Sequence, residues 1–100
     1  DFADLVAKKV NQGDCMGILI CGSGQGMAMR ANRYPLVKAA LCWTPEVAKL
    51  AREHNSANIL CLGARLIDES TCVQIVKTFF TTAFAEGRHT HRVRKMEKPC

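Results

Sequence analysis

One hundred residues, 48% of them apolar and only 6% aromatic, suffice for one domain with a modest core and leave no room for a second. No apolar run approaches the span of a bilayer and no leader pattern opens the chain, so a soluble, cytoplasmic protein without membrane contact is expected. The net charge of +5 is partly local, with Arg88, His89, His91, Arg92, Arg94, Lys95 and Lys98 crowding the C-terminal segment. With so few aromatics and no reading module, this is a solvated basic face rather than a nucleic-acid interface.

Residues 1–12 set Phe2, Leu5, Val6, Lys9 and Val10 at helical spacing, and Gly13 is placed to stop that helix. Asp14 and Cys15 fall in the link that follows. Gly17 to Ile20 is an apolar, β-branched run, the mark of a buried strand, and it ends in Cys21-Gly-Ser-Gly-Gln-Gly26. A short helix over Met27 to Arg33 follows and is closed by Tyr34-Pro35, because proline disfavours helical geometry in the residue before it. Val37 to Cys42 reads as a second strand. Thr44-Pro45-Glu46 supplies a capping hydroxyl, a first-turn proline and a carboxylate for the positive end of the dipole. That helix runs to about Glu53 or His54, with Val47, Leu50, Ala51 and His54 on its buried side. Asn58 to Leu62 is a third strand, leading to Gly63-Ala-Arg65. Asp68 caps a long helix through Thr82 whose wide apolar face is Cys72, Ile75, Val76, Phe79 and Phe80. After the link Phe84-Ala-Glu-Gly87, a helix from Arg88 to Met96 aligns Arg88, His91, Arg92 and Lys95 in one cationic stripe.

Strands alternating with helices predict an α/β fold: a Rossmann-like three-layer α/β/α arrangement with about three parallel strands, residues 1–100 forming a single domain. In such sheets ligands lie outside the carboxyl ends of the strands, where all the polar candidates are expected to gather. Six cysteines do not make a disulfide framework here, because Cys42 and Cys61 sit inside apolar runs and read as buried, reduced thiols. No Cys-x-x-Cys pair or zinc spacing occurs. The nearest approach to a metal site, His89-Thr-His91, places two side chains that diverge on a helix, so neither metal nor cofactor is expected.

The chemistry concentrates after the first strand. Three glycines let the backbone turn sharply and aim successive N–H groups at one point, where a helix N-terminus adds partial positive charge. Such a place holds anions. It also puts the Cys21 thiol beside those donors, in a setting that can turn a cysteine into a base or a nucleophile. The loop does not satisfy the Gly-x-Gly-x-x-Gly dinucleotide pattern, and Trp43-Thr44, not an acidic residue, ends the next strand.

Taken together, Ile18-Leu-Ile-Cys-Gly-Ser-Gly-Gln-Gly-Met27, Ala31-Asn-Arg33, Ala51-Arg-Glu-His-Asn55, Asn58-Ile-Leu-Cys-Leu-Gly-Ala-Arg65 and the Gly87-Arg-His-x-x-Arg92 block resemble ribose-5-phosphate isomerase type B, a family related to the galactose-6-phosphate isomerase subunits. Five blocks in order across nearly the whole chain are far more specific than one glycine loop. The resemblance implies a metal-free aldose-ketose isomerase, acting on ribose 5-phosphate and ribulose 5-phosphate as a homodimer or homotetramer with its site at a subunit interface. It implies Cys21 as the base that moves a proton between C1 and C2, assisted by Ser23. It implies the amides of Gly22, Ser23, Gly24, Gln25, Gly26 and Met27 as the enediolate's anion hole. His54 is implied as the ring-opening residue, Asn55 as a substrate-oxygen ligand, and Arg88 with Arg92 as the phosphate clamp. Arg65 and Asn32 are left with structural or supporting roles. The family fold has five strands: a strand, a helix and a second strand precede the part matching Asp1, and the first of those strands ends in an Asp-His pair that binds substrate. The chain thus corresponds to the C-terminal portion of a sugar-phosphate isomerase domain. The alternatives are an isomerase of another phosphorylated aldose, such as allose or galactose 6-phosphate, and a non-catalytic phosphate- or nucleotide-binding module.

Overall fold

The computed structural model describes residues 2–13 and 15–98. Asp1, Asp14, Pro99 and Cys100 lie outside the described residues, and with them the first residue of the expected first helix and the Asp14 part of the link after it. Three strands, β1 (Gly17–Cys21), β2 (Ala39–Leu41) and β3 (Ile59–Gly63), form a parallel sheet in the order β1-β3-β2. Ile59 pairs with Gly17 on one side and Ala39 on the other. Every residue of β3 is buried, which is why Ile59-Leu60-Cys61-Leu62 is an unbroken apolar run: a central parallel strand is covered on both faces.

Those faces take alternate residues of each strand. Leu19, Ile59 and Cys61 pack against α1 (Phe2–Asn11) and α2 (Gln25–Ala31), while Leu60, Leu62 and Cys42 pack against α3 (Pro45–Asn55) and α4 (Glu69–Thr81). A last helix, α5 (Arg88–Met96), lies against α3 and buries Val93. The expected α/β/α layering is therefore present.

The capping signals act as expected. The Thr44 hydroxyl accepts from the Val47 N–H at 3.1 Å with Pro45 in the first turn, and Ser56 closes α3 in the left-handed region at φ 52°. Asp68 accepts from the Thr71 N–H at 2.8 Å, and the backbone and side-chain donors of Thr71 hold its carboxyl below the ordinary carboxylate range. Several boundaries move. The helix expected over Met27 to Arg33 begins at Gln25 and ends at Ala31, and the second strand shrinks from Val37–Cys42 to Ala39–Leu41.

Three apolar faces also differ from expectation. On α1 the buried stripe is Ala3, Ala7 and Val10, while Phe2 and Leu5 stand about 70% exposed. The small alanines let α1 close onto the sheet, and Gly17 admits it: a Cβ there would sit 2.7 Å from a Val6 methyl. On α3 the face turns toward Ala48 and Ala51, leaving Leu50 exposed. On α4 only Ile75 and Phe79 are buried, and Phe80 points outward. Asp4 fastens α1 to α2, accepting from Tyr34 Oη at 2.7 Å and Arg30 Nε at 2.8 Å. The Tyr34 bond, then Arg30, draws the Asp4 pKa down, and the same bond raises that of Tyr34.

Candidate active site

Cys21 ends β1, half-buried at the carboxyl edge of the sheet. From β1 the chain turns to α2 on one face, and from the adjacent β3 it turns to α4 on the other. Neighbouring strands that release their chains to opposite faces open a crevice between them, and Cys21 stands at its mouth. The loop is pinned across that crevice: Ala64 N–H donates to the Cys21 carbonyl at 2.8 Å and Arg65 N–H to the Gly22 carbonyl at 3.1 Å. Gly24 adopts the left-handed conformation, φ 80°, immediately before α2. This aims its N–H at Cys21 Sγ, 3.0 Å away. A main-chain donor so placed is a partner for negative charge on sulfur, supplied by loop shape alone. Ser23 Oγ takes a long bond, 3.4 Å, from the Gln25 N–H. The Met27 side chain packs into the core beside α1, so only its main chain can serve an anion.

The other thiols of the sheet differ. Cys42 and Cys61 are buried, and burial pushes their pKa values up to about 11 and about 12. At the carboxyl end of the sheet, a small cavity of about 190 Å³ has Ser23, Gln25, Trp43 and Leu66 in its wall.

The second half of the expected site lies elsewhere. Because α3 runs back against the strands, its last residues, His54 and Asn55, fall at the amino ends of the sheet. There α5 meets them. Arg92 Nη1 donates to Asn55 Oδ1 at 2.6 Å and Nη2 donates to the His54 carbonyl. His89 stacks on His54 with ring centroids 4.5 Å apart. Its pKa is lowered by desolvation first, then by His54, Arg88 and Arg92. Arg52 secures this corner from within, donating through Nε to the Thr82 carbonyl at 2.9 Å and through Nη1 to that of Ala57, with its guanidinium over Phe79. Lys38 holds the far end of α5 through a 2.8 Å ion pair with Glu97.

Thus Cys21, Gly22, Ser23, Gly24, Gln25, Gly26 and Met27 come together, and His54, Asn55, Arg88 and Arg92 come together, but the groups occupy opposite ends of the sheet. A five-residue strand spans about 16 Å. The expectation that every polar candidate gathers at the carboxyl ends is corrected accordingly. An αβ connection returns the chain to the amino edge, so a residue at the C-terminus of a crossover helix cannot share an end with one at the C-terminus of a strand.

Arg65, assigned no site role from sequence, lies along the glycine loop, its Nε 3.4 Å from where a Cβ on Gly22 would stand. The signal was its place two residues after β3, at the same sheet end as Cys21. Asn32 is structural as expected, its amide bracketing the Ala39 main chain at 2.7 and 2.9 Å. Among the described residues no group of three or more His, Cys, Asp or Glu side chains is placed to hold a metal ion. No helix of the described residues is long and apolar enough to cross a membrane.

Comparison with known proteins places this arrangement. The model of the ribose/galactose isomerase family matches residues 1–96. The chain is 46% identical over 98 residues to a probable ribose-5-phosphate isomerase B of Mycoplasma genitalium, covering 96% of this chain and 64% of that protein. It is 43% identical to a putative sugar phosphate isomerase of Bacillus subtilis, covering 96% of this chain and 65% of the relative. Its fold superposes on the crystal structure of the Mycoplasma genitalium ribose-5-phosphate isomerase B with bound ribulose-5-phosphate, with a TM-score of 0.93 and 44% identity over 97% of this chain and 65% of that one. The Thermotoga maritima ribose 5-phosphate isomerase matches with a TM-score of 0.91 at 47% identity, over 95% of this chain and 66% of its own. The chain spans about two thirds of the length of these relatives, and across that span it belongs to the ribose/galactose isomerase family.

Proposed function

We propose that the protein interconverts ribose 5-phosphate and ribulose 5-phosphate, with a site completed between two copies of the chain. Cys21 removes the proton at C2 of the open-chain aldose and returns it to C1. The negative charge that develops on the substrate oxygens meets the main-chain N–H groups of the loop from Gly22 to Met27, donors preorganised for the enediolate rather than for the neutral sugar. Ser23 assists the transfer of the hydroxyl proton. His54 opens the furanose ring, Asn55 holds a substrate oxygen, and Arg88 with Arg92 grips the phosphate.

The observation that carries this reading is the Gly24 N–H directed at Cys21 Sγ in the crevice of a parallel sheet. The separation of the two residue groups supports the paired site: neither end holds both a proton-transfer group and a phosphate clamp, and a two-fold pairing brings the carboxyl end of one copy to the amino end of its mate.

Mixing tests both claims. Cys21→Ala protein, inactive alone, and Arg92→Ala protein, reduced about ten- to a hundredfold at limiting substrate, should together reach about a quarter of wild-type turnover after subunit exchange, because a mixed two-fold dimer has one intact site and one doubly damaged site. Full activity of Cys21→Ala alone would sink the assignment of the base, and no recovery on mixing would sink the shared site.

A further inference from the structure

The packing of α5 on the end of α3 contains an arrangement that none of the roles above uses. His89 lies flat on His54, its plane 17° from parallel. Its two ring nitrogens face two different guanidinium groups, with Arg92 Nη2 3.3 Å from Nδ1 and Arg88 Nε 3.4 Å from Nε2. A neutral imidazole carries one proton and offers one lone pair. It can therefore accept from only one of these arginines, and toward the other it turns an N–H, donor facing donor. Protonation would not resolve the conflict, since the imidazolium has no lone pair for either arginine.

We propose that His89 is a positioning residue whose tautomer selects which of Arg88 and Arg92 it braces, Arg88 for a grip on an anionic ligand or Arg92 for its hold on the end of α3, while its ring fixes the plane of His54. The two arginines are unequal in what they have to offer. Arg88, held through Nε, keeps both terminal nitrogens for a two-pronged grip on an oxyanion. Arg92 already spends Nη1 on Asn55 and Nη2 on the His54 carbonyl. The tautomer thus links the anion clamp to the residue proposed to open the sugar ring. The link to turnover rests on the isomerase reading, whereas the tautomer selection stands on this geometry alone.

The test reads ring nitrogens rather than turnover. In ¹⁵N-labelled protein, Arg92→Ala should drive His89 toward the Nδ1–H tautomer, which accepts from Arg88, and Arg88→Ala should drive it toward the Nε2–H tautomer, which accepts from Arg92. One unchanged tautomer in the wild type and both variants would overturn the proposal. Both arginines are exposed, so neither change threatens the core.

Two further variants separate the ring from the lone pair. His89→Phe keeps the stack and removes both nitrogens; inorganic sulfate should bind about tenfold more weakly, with the ring-current shift of the His54 ring protons retained in sign. His89→Gln keeps an acceptor and removes the stack, so sulfate affinity should recover while the His54 shifts move. Equal sulfate affinity in wild type and His89→Phe would likewise overturn the proposal. A protein that shows the tautomer response but no isomerisation would refute the proposed function and leave His89 in this role.

Discussion

Replacing Gly24 by alanine tests the link between loop shape and chemistry. The residue sits at φ 80°, where a side chain costs about 1–2 kcal/mol. Its Cβ would stand 2.5 Å from Leu41 Cδ1, 3.0 Å from the Leu62 carbonyl carbon and 3.1 Å from the Gly63 nitrogen. The leucine can rotate away, but the backbone of a fully buried central strand cannot, and overpacking of this kind costs about 1–3 kcal/mol. The combined loss of about 2–5 kcal/mol is a large share of a small domain's stability and should lower Tm by at least about 10 °C. Gly26→Ala is the internal control: its Cβ meets nothing within 4 Å and it lies inside α2, so it should stabilise by about 0.5–1 kcal/mol. Thermal and urea unfolding of the two variants side by side measures the contrast. Below its melting point Gly24→Ala should also lose isomerase turnover, because relief of the clash draws the N–H away from Cys21 Sγ. If Gly24→Ala loses no more stability than Gly26→Ala, the reasoning from loop conformation is refuted.

Alkylation of the folded protein at neutral pH should modify Cys21 ahead of Cys42 and Cys61, whose burial holds their thiols protonated; mass spectrometry showing Cys61 labelled as fast as Cys21 would contradict this. Arg88→Ala or Arg92→Ala should weaken ribose 5-phosphate by about ten- to a hundredfold and leave unphosphorylated ribose much less affected, as measured by competition, and equal losses for both sugars would show that these arginines do not hold the phosphate. Asp68, its folded pKa below the unfolded value of about 3.9, contributes stability above that value that is lost as pH falls through the folded one. Asp68→Ala should therefore melt lower than wild type at pH 7, with the two curves converging in acid. The 100-residue polypeptide by itself should self-associate through the outer edge of β1, where Ile18 and Ile20 are exposed and Ile18 shares a groove with Leu5. Ile20→Lys should reduce its mass in solution, supplying a family-type strand-helix-strand unit with its Asp-His pair should do the same and raise turnover, and a monomeric, fully active 100-residue protein would contradict this.

The helix starts at Thr44 and Asp68, the strand before the glycine loop and the burial of Cys42 and Cys61 were all legible from residue types, because each rests on local chemistry. The helix faces were less so. Phe2, Leu5, Leu50 and Phe80 satisfy the spacing of a buried stripe, yet the chain buries Ala3, Ala7, Ala48 and Ala51. Spacing fixes which residues share a face, and only the depth of contact between layers decides whether alanine or phenylalanine turns inward. The glycine loop was legible as a sharp turn of main-chain donors after a strand, but the donor that reaches Cys21 Sγ could not be named without the left-handed turn at Gly24. His54 and Asn55 were legible as a pair, and their distance from Cys21 follows from the direction of α3, a property of connectivity. His89 was read as a weak metal candidate because its sequence neighbour was His91; its structural neighbour is His54, a helix away.

The strand order also has a consequence in time. The strand at the centre of this sheet, β3, is the last of the three to be synthesised, and β1 and β2 each pair with it and not with each other. During translation, at about 5–20 residues per second, the segment carrying β1 leaves the ribosome and waits on the order of seconds before Ile59–Gly63 arrives to pair with it. Through that interval Leu19 and Ile20 lack β3 as a partner, and the loop that follows them lacks Leu62 and Gly63, against which Gly24 packs. The contact between Cys21 Sγ and the Gly24 N–H is therefore fixed only once Leu62 and Gly63 arrive, so a nascent or stalled chain holds this thiol without that donor locked in place.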